Sequence, residues 1–463
     1  MINNGFEVSV YDQNALRTPL NSMLRGISAS GPYDVIAVGG LVTVYNKLKA
    51  IVKELRAAYP HTKIVIGGGV TIDPQLIFAN MPADICVHGE AEDSFLDLCN
   101  RLIEDGKDLS GITGISFVEN GELIRTEPRP LEKDLDRFPM PAYDKFPSEI
   151  YFENNAKSAS SGYGIDIKMC ATLLTSRGCP NQCTYCWRMC GKTIRFRSMD
   201  LVVDEIKYLR AAYNVDSYEF LDECINANRK RSLEFASRLK EENLNAPWGS
   251  SARVTIFDRE ISEQFHLSGC RKIIFGVESG CREILKEMRK NTSPEQSSRA
   301  ITIAKESGIM PTCNIMIGMP GETQRTVKES VLWIRRNRKY INNFGFFFVT
   351  PYPGCDLYDL PQVQGLIKRK YGTKDSYFSA LGDASILTLN MTALPDGELK
   401  SLREWAKKEA WAPKWYPYWL SGRYIKLYDF FCRLLHLALA PSRWLEVARN
   451  RFEKLRMRFK AAG

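Results

Sequence analysis

No run of apolar residues in this chain reaches the length that a membrane span requires, and the first residues, Met1 to Asp12, hold no basic head followed by an apolar core. These two absences argue against a polytopic membrane protein and against an exported one. A disulfide framework is also missing. Thirteen cysteines is an odd count, and outside one group near residue 180 they are scattered without regular spacing. The expected compartment is therefore a reducing cytoplasm. There is no compositional bias either, since 44% hydrophobic and 25% charged residues are the proportions of a globular protein rather than a disordered or fibrous one. At 463 residues the chain is long for one core and predicts two or three domains.

Residues 1–108 alternate short β-branched runs with helical ones. Expected strands are Glu7 to Tyr11, Asp34 to Val38, Lys63 to Ile66 and Asp84 to Val87. Continuous apolar strands such as Ile64-Val65-Ile66 are the mark of a parallel sheet covered on both faces. Glycines follow the strands at Gly39-Gly40, Gly67-Gly68-Gly69 and Gly89, where a ligand could approach the backbone closely. This is the pattern of a doubly wound α/β domain. Residues 109–167 read as a linker containing a small hairpin turned at Asn120-Gly121 and broken by Pro128, Pro130, Pro139, Pro141 and Pro147.

A second βα series fills residues 168–385, with strands expected at Thr172 to Thr175, Ser217 to Leu221, Trp248 to Val254, Lys272 to Val277, Thr312 to Ile317 and Gly345 to Val349. One helix start is well marked: Ser293-Pro294-Glu295-Gln296 is a capping box with proline at the first helical position, and Gly308 supplies the stop. Six strands with helices between them imply a partial (β/α)6 barrel, in which reactive groups gather at the carboxyl ends of strands. The first strand runs into Ser176-Arg177-Gly178-Cys179-Pro180-Asn181-Gln182-Cys183-Thr184-Tyr185-Cys186. Three thiols spaced by three and then two residues can converge on one iron-sulfur or zinc centre. With only three ligands a four-iron cubane keeps one iron open, as a catalytic zinc keeps an open position. Cys190 supports a competing reading, a closed four-cysteine site with an electron-carrying or structural role.

The C-x3-C-x2-C loop closing a first strand resembles the signature of the radical S-adenosylmethionine (radical SAM) superfamily. The resemblance implies that Cys179, Cys183 and Cys186 hold a [4Fe-4S] cluster. It further implies that the open iron chelates S-adenosylmethionine, and that an electron from the cluster yields methionine and a 5′-deoxyadenosyl radical. Tyr185 matches the aromatic position that contacts adenine. Asp222 and Glu223 stand where the family contacts the S-adenosylmethionine amino group, although the usual Gly-Gly-Glu is absent; a solvated acidic turn is the bland alternative. Ser251 and Arg253 resemble a polar third-strand edge where Arg253 could grip a carboxylate, or else form a surface ion pair. Gly276-Val277-Glu278-Ser279-Gly280 and Gly318-Met319-Pro320-Gly321-Glu322-Thr323 are similar to fourth- and fifth-strand motifs of one branch. There Glu278, Ser279 and Gly318 would face S-adenosylmethionine, while helix capping is the plainer reading of the same residues.

An open glycine-edged domain followed by this barrel resembles the cobalamin-binding branch, with a flavodoxin-like amino-terminal fold. The resemblance makes cobalamin a further cofactor and assigns Gly39, Thr43, Gly67, Gly68, Gly69 and Glu90 to its site. Family chains begin with another strand and helix, which are expected to be missing here, and no Asp-x-His-x-x-Gly ligand motif is present. A vestigial or recognition domain is the alternative. Methyl transfer to an unactivated carbon is the outcome expected with cobalamin; rearrangement, cyclisation or oxidation is expected without it. A small-molecule or lipid-like substrate and a one-electron reductase of flavodoxin or ferredoxin type complete the expected partners.

Residues 386–463 form a basic, aromatic-rich helical tail. Residues 400–463 hold 15 Lys or Arg against 5 Asp or Glu, so the whole net charge of +9 resides there. Helices covering the open side of the barrel, or peripheral contact with the inner membrane surface, both suit that composition. No recognition motif accompanies the charge, so nucleic acid is not an expected partner.

Overall fold

The computed structural model describes residues 1–104 and 108–412. Two sheets organise them. In the first, β1 (Val35–Gly39), β2 (Lys63–Gly67) and β3 (Ile85–Val87) are parallel, and β4 (Ile115–Glu119) and β5 (Glu122–Arg125) add an antiparallel hairpin, in the order β1-β2-β3-β4-β5. The apolar run of β2 is buried on both faces, as its composition requires. Ile64 and Ile66 enter a core shared with Leu48 and Val52 of the helix Tyr45–Ala58, and Val65 enters a second core with Leu98 of the helix Glu92–Ile103.

Two sequence expectations need correction here. Glu7 to Tyr11 is irregular rather than a strand; a strand exists only through its ladder, and no neighbour pairs with this segment. The stretch read as a linker is built into the molecule: its hairpin completes the first sheet, and Ser148–Tyr163 is a helix. That helix buries Phe152, Ala156, Ala159 and Tyr163. Alanine fills half of the stripe, which makes the helical period faint in sequence.

The second sheet contains β6 (Cys170–Leu173). A short antiparallel pair, β7 (Ser176–Arg177) with β8 (Arg195–Phe196), follows it as a separate neck. The sheet continues through β9 (Ser217–Phe220), β10 (Trp248–Ala252), β11 (Cys270–Glu278), β12 (Met310–Ile317) and β13 (Asn343–Phe348). All six are parallel and lie in chain order from β6 at one edge to β13 at the other, which is the partial barrel expected. The helix Pro294–Glu306 begins with the anticipated Ser293/Gln296 capping box and ends before Gly308. The helix Ser148–Tyr163 lies across the amino-terminal ends of the strands: Tyr163 donates to the Tyr218 carbonyl (2.9 Å), and the Lys272 ammonium sits 5.1 Å above its ring while pairing with Glu219.

One apolar core continues from the first sheet into the second. Val42, Tyr45 and Ile77 share it with Cys281, Leu285, Met319, Val349 and Phe378. Tyr45 and Lys49 both bond Asp375 (2.7 and 2.8 Å), and Lys374 pairs with Asp73 (2.7 Å). The carboxyl ends of both sheets are thereby fixed next to each other.

Candidate active site

The cysteine loop emerges from the β7–β8 neck and is pinned from both sides. Gly178 has φ 92°, and a Cβ there would meet the Thr193 carbonyl at 2.3 Å, so the loop can fold back on itself only with glycine at this point. The Cys179 amide donates to the Gly191 carbonyl (3.2 Å), and Arg188 donates to the Cys183 carbonyl (3.2 Å) while pairing with Asp356 (2.8 Å). Asp222, at the end of β9, is buried and accepts from the Thr175 amide (3.1 Å), the Thr175 hydroxyl (2.7 Å) and the Ser176 hydroxyl. Glu223 accepts from the Gly178 amide (3.2 Å). Both carboxylates expected at the S-adenosylmethionine amine thus hold the backbone that leads into the cysteine loop; Glu223 is exposed, whereas Asp222 is enclosed.

Within the loop, the Asn181 amide approaches Cys179 Sγ (3.2 Å). A hydrogen bond from the Cys186 thiol holds the Cys183 thiol down against its burial, with Lys290 and Arg253 adding positive charge; the same contact pushes the Cys186 thiol up. Arg253 lies 4.0 Å from Cys183 Sγ, donates to the Lys290 carbonyl (2.7 Å), and has no carboxylate partner among the ion pairs of the described residues. Lys290 in turn donates to Glu278 (3.1 Å) and to the Tyr185 hydroxyl (3.2 Å). Burial alone would lower the Lys290 ammonium, but the Glu278 carboxylate and Cys183 together reverse this and leave it raised. The pair lies directly over the β11 backbone: a Cβ on Gly276 would come within 2.4 Å of Glu278 Oε1 and 2.9 Å of Lys290 Nζ. Glu278 itself adopts φ 66° beside a register shift in β11, a backbone cost of order 1–3 kcal/mol that the surrounding structure must enforce.

The remaining expected residues separate. Ser251 is exposed at the end of β10 and faces the same opening as Arg253. Ser279 is fully buried; its hydroxyl contacts Ser330 (3.1 Å) and caps the Cys281 amide (3.1 Å). Gly318, at φ 109°, donates to Glu322 (2.5 Å), whose carboxyl burial pushes up to about 7. On the first sheet, Gly67 and Gly89 front open space, a cradle that side chains would fill, and a Cβ on Gly39 would meet only the Gly67 carbonyl, at 3.8 Å. Gly68 and Gly69 border a cleft of about 230 Å³ with Thr71, His88, Arg125 and Trp187. Thr43 is half-buried in the turn after β1. Glu90 forms a bidentate pair with Arg195 of the neck (2.6 and 2.8 Å) and lies 3.5 Å from Arg177.

Sequence reasoning missed Lys290 and Trp187. Trp187 follows the last cysteine of the motif and is wedged between the two sheets. A Cβ on Gly69 would lie 2.4 Å from its ring, and one on Gly354 would lie 2.6 Å from its indole nitrogen. Its signal was available as an aromatic residue beside the cysteine motif; Lys290, in the turn after a short helix, carried none.

Three thiols on one pinned loop, with Arg253 and Lys290 beside Cys183, suit a multi-iron cluster in which each thiolate takes a different iron. Among the described residues no three His, Cys, Asp or Glu side chains close around a single ion. The Cys190 thiol has Glu223, Glu90, Arg177 and Arg195 for charged neighbours rather than the three loop cysteines, and nothing supports the closed four-cysteine reading. The glycine cradle on the first sheet suits a large planar group that is held by backbone.

Fold and site together define a cluster-binding barrel joined to a corrinoid-type α/β domain. Residues 173–334 match the Radical SAM superfamily and residues 1–98 the B12 binding domain. The chain therefore carries a Radical SAM domain and a B12 binding domain, a pairing whose cofactors are a [4Fe-4S] cluster, S-adenosylmethionine and cobalamin. It is 33% identical over 313 residues to an uncharacterized methyltransferase of Pyrococcus horikoshii, covering 66% of this chain and 65% of the relative. It is 28% identical over 299 residues to an anaerobic magnesium-protoporphyrin IX monomethyl ester cyclase of Rubrivivax gelatinosus, covering 63% and 51%. Among solved structures, the radical S-adenosylmethionine methyltransferase TsrM from Kitasatospora setae, with tryptophan substrate and a SAM analogue bound, shares the fold at TM-score 0.65 and 20% identity, covering 76% of this chain and 70% of that one. The chain thus spans between about half and two thirds of the length of these curated relatives.

Proposed function

We propose that this protein reductively cleaves S-adenosylmethionine at a cluster held by Cys179, Cys183 and Cys186 and, with cobalamin on the first sheet, methylates an unactivated carbon of a small or lipid-like molecule. The observation that carries the reading is the pinned three-cysteine loop set against the Arg253–Lys290–Glu278–Tyr185 network. When bound, the cluster supplies the electron that breaks a carbon-sulfur bond of S-adenosylmethionine, and cobalamin is a methyl carrier. The chain's own groups do the positioning. Arg253 offers a carboxylate its charge beside the cysteine loop, since no acidic residue among the described residues pairs with it. The Glu278–Lys290 pair fixes Tyr185, and Ser251 presents a hydroxyl at the barrel opening. Methyltransferase names among the relatives favour methyl transfer over cyclisation, although three cyclases stand among them too.

A flavodoxin- or ferredoxin-type donor is the electron source this chemistry requires. A cytoplasmic setting accords with the described cysteines, all of which are free thiols. No helix among the described residues is long and apolar enough to cross a membrane. The membrane-surface reading of the tail falls on residues 413–463, which lie outside the described residues. Anaerobically reconstituted protein given dithionite and S-adenosylmethionine should release 5′-deoxyadenosine. After loading with hydroxocobalamin it should keep a corrinoid visible spectrum through desalting. Absence of the nucleoside overturns the cleavage reading, and a colourless desalted protein overturns the cobalamin part.

A further inference from the structure

Buried and half-exposed residues alternate along the six parallel strands. Leu173, Phe220, Ser250 and Ile273 point towards the helix layer and are buried, and the residues next to them face the opening. The strand register pairs Ser251 with Ile274, and continuing it one residue past the ends of β6 and β9 sets Leu174 and Leu221 in the same row towards the mouth of the barrel. Leu174 is 41% and Leu221 61% exposed, although their strand neighbours are enclosed. The charged groups on this face are already committed. Glu219 pairs with Lys272, Glu278 pairs with Lys290, and Glu223 accepts the Gly178 amide. Arg253 is the exception, and it lies against the cysteine loop, where the carboxylate of S-adenosylmethionine would take it.

We infer that the part of the substrate seated in the barrel is uncharged and largely hydrocarbon, resting on Leu174, Leu221 and Ile274, with a neutral hydrogen-bonding group directed to Ser251. An ionised carboxylate, phosphate or ammonium in this row would lose water and gain no counter-charge, which is strongly unfavourable. A neutral hydrocarbon would cover the two exposed leucines and gain by it. This inference rests on the barrel mouth being the reaction site.

The test uses three ten-carbon probes that differ only in charge: decan-1-ol, decanoate and decylammonium. Each is titrated calorimetrically into the cluster-reconstituted full chain with S-adenosylmethionine present. The alcohol should bind at least tenfold more tightly than either ion. Leu221→Lys should weaken the alcohol at least tenfold and strengthen decanoate, a reversal of preference that a merely unfolded variant would not give. Equal affinity for alcohol and ions, or a Leu221→Lys protein with all three affinities unchanged, overturns the inference. Release of 5′-deoxyadenosine by the same preparation tests the underlying reading separately. A preparation that cleaves S-adenosylmethionine but ignores probe charge removes only the substrate class, and one that never cleaves it removes the reading beneath.

Discussion

The two sheets meet at their carboxyl ends but present different materials there. The first offers backbone: Gly67 and Gly89 leave open space, and its acidic residue Glu90 is paired with Arg195. The second offers side chains, with three thiols, a cation beside them and an ion pair lying on a glycine. A broad planar cofactor is best held by a smooth backbone edge, because every protruding side chain would have to be removed from its path. A thiolate cluster and a zwitterion need point ligands and charges, and these must be over-determined by their surroundings to stay in place. The comparison shows why one end of the molecule is rich in glycine and the other in hydrogen bonds, and why Trp187 and Arg195, which cross between them, matter to both.

The sharpest way to break the comparison is on the barrel side. Cys183→Ala should abolish both the cluster absorbance and 5′-deoxyadenosine release, while Cys190→Ala should retain both; cluster loss in the Cys190 variant would make the site a closed one. Next comes the joint between the sheets. Arg195 and Glu90 side chains are 5% and 10% exposed, so Arg195→Ala leaves a buried carboxylate with only Arg177, 3.5 Å away, and should cost about 3 kcal/mol in urea unfolding, much of it recovered in the double variant with Glu90→Gln.

A third test concerns Glu322 under the fifth-strand glycines. Burial raises its carboxyl to about 7, so the folded state binds a proton that the unfolded chain has already lost above the ordinary carboxylate range. Stability from this group is full below about pH 4.5 and falls as pH rises towards 7. Glu322→Gln should therefore be more stable than the parent at pH 8, by roughly 2 kcal/mol, and equal to it near pH 5. Equal melting curves at both pH values would show that the carboxyl is not shifted. The smallest effect is expected at the indole. Trp187→Ala should weaken cobalamin retention about tenfold, or about 1.4 kcal/mol, measured by corrinoid absorbance after dialysis, and Trp187→Phe should recover most of it. If retention is unaffected, Trp187 serves only the barrel.

Much of this was legible because it is local. The β2 run Ile64-Val65-Ile66 announced a strand buried on two faces, the Ser293-Pro294-Glu295-Gln296 box announced a helix start, and the cysteine spacing announced the loop. The helix Ser148–Tyr163 escaped because its buried stripe is half alanine, and Glu7 to Tyr11 misled because alternation does not supply a partner strand. Among the site residues, Arg253 and Glu278 lie beside the cysteine loop with Tyr185. Asp222 and Ser279 spend their oxygens on backbone and on Ser330 instead. Glu90 was expected at the corrinoid site and is found holding the neck.

By itself the sequence determined the two parallel βα series, the three-thiol loop at the end of one strand and the glycine edge of the other sheet, since each depends on neighbours a few residues apart. Tertiary structure alone decided which carboxylate faces a cation, that Lys290 stands between Glu278 and Tyr185, and that Trp187 fits against Gly69 and Gly354. Those contacts join segments roughly 10 to 170 residues apart, and the burial and charge that fix them do not exist until the chain has folded.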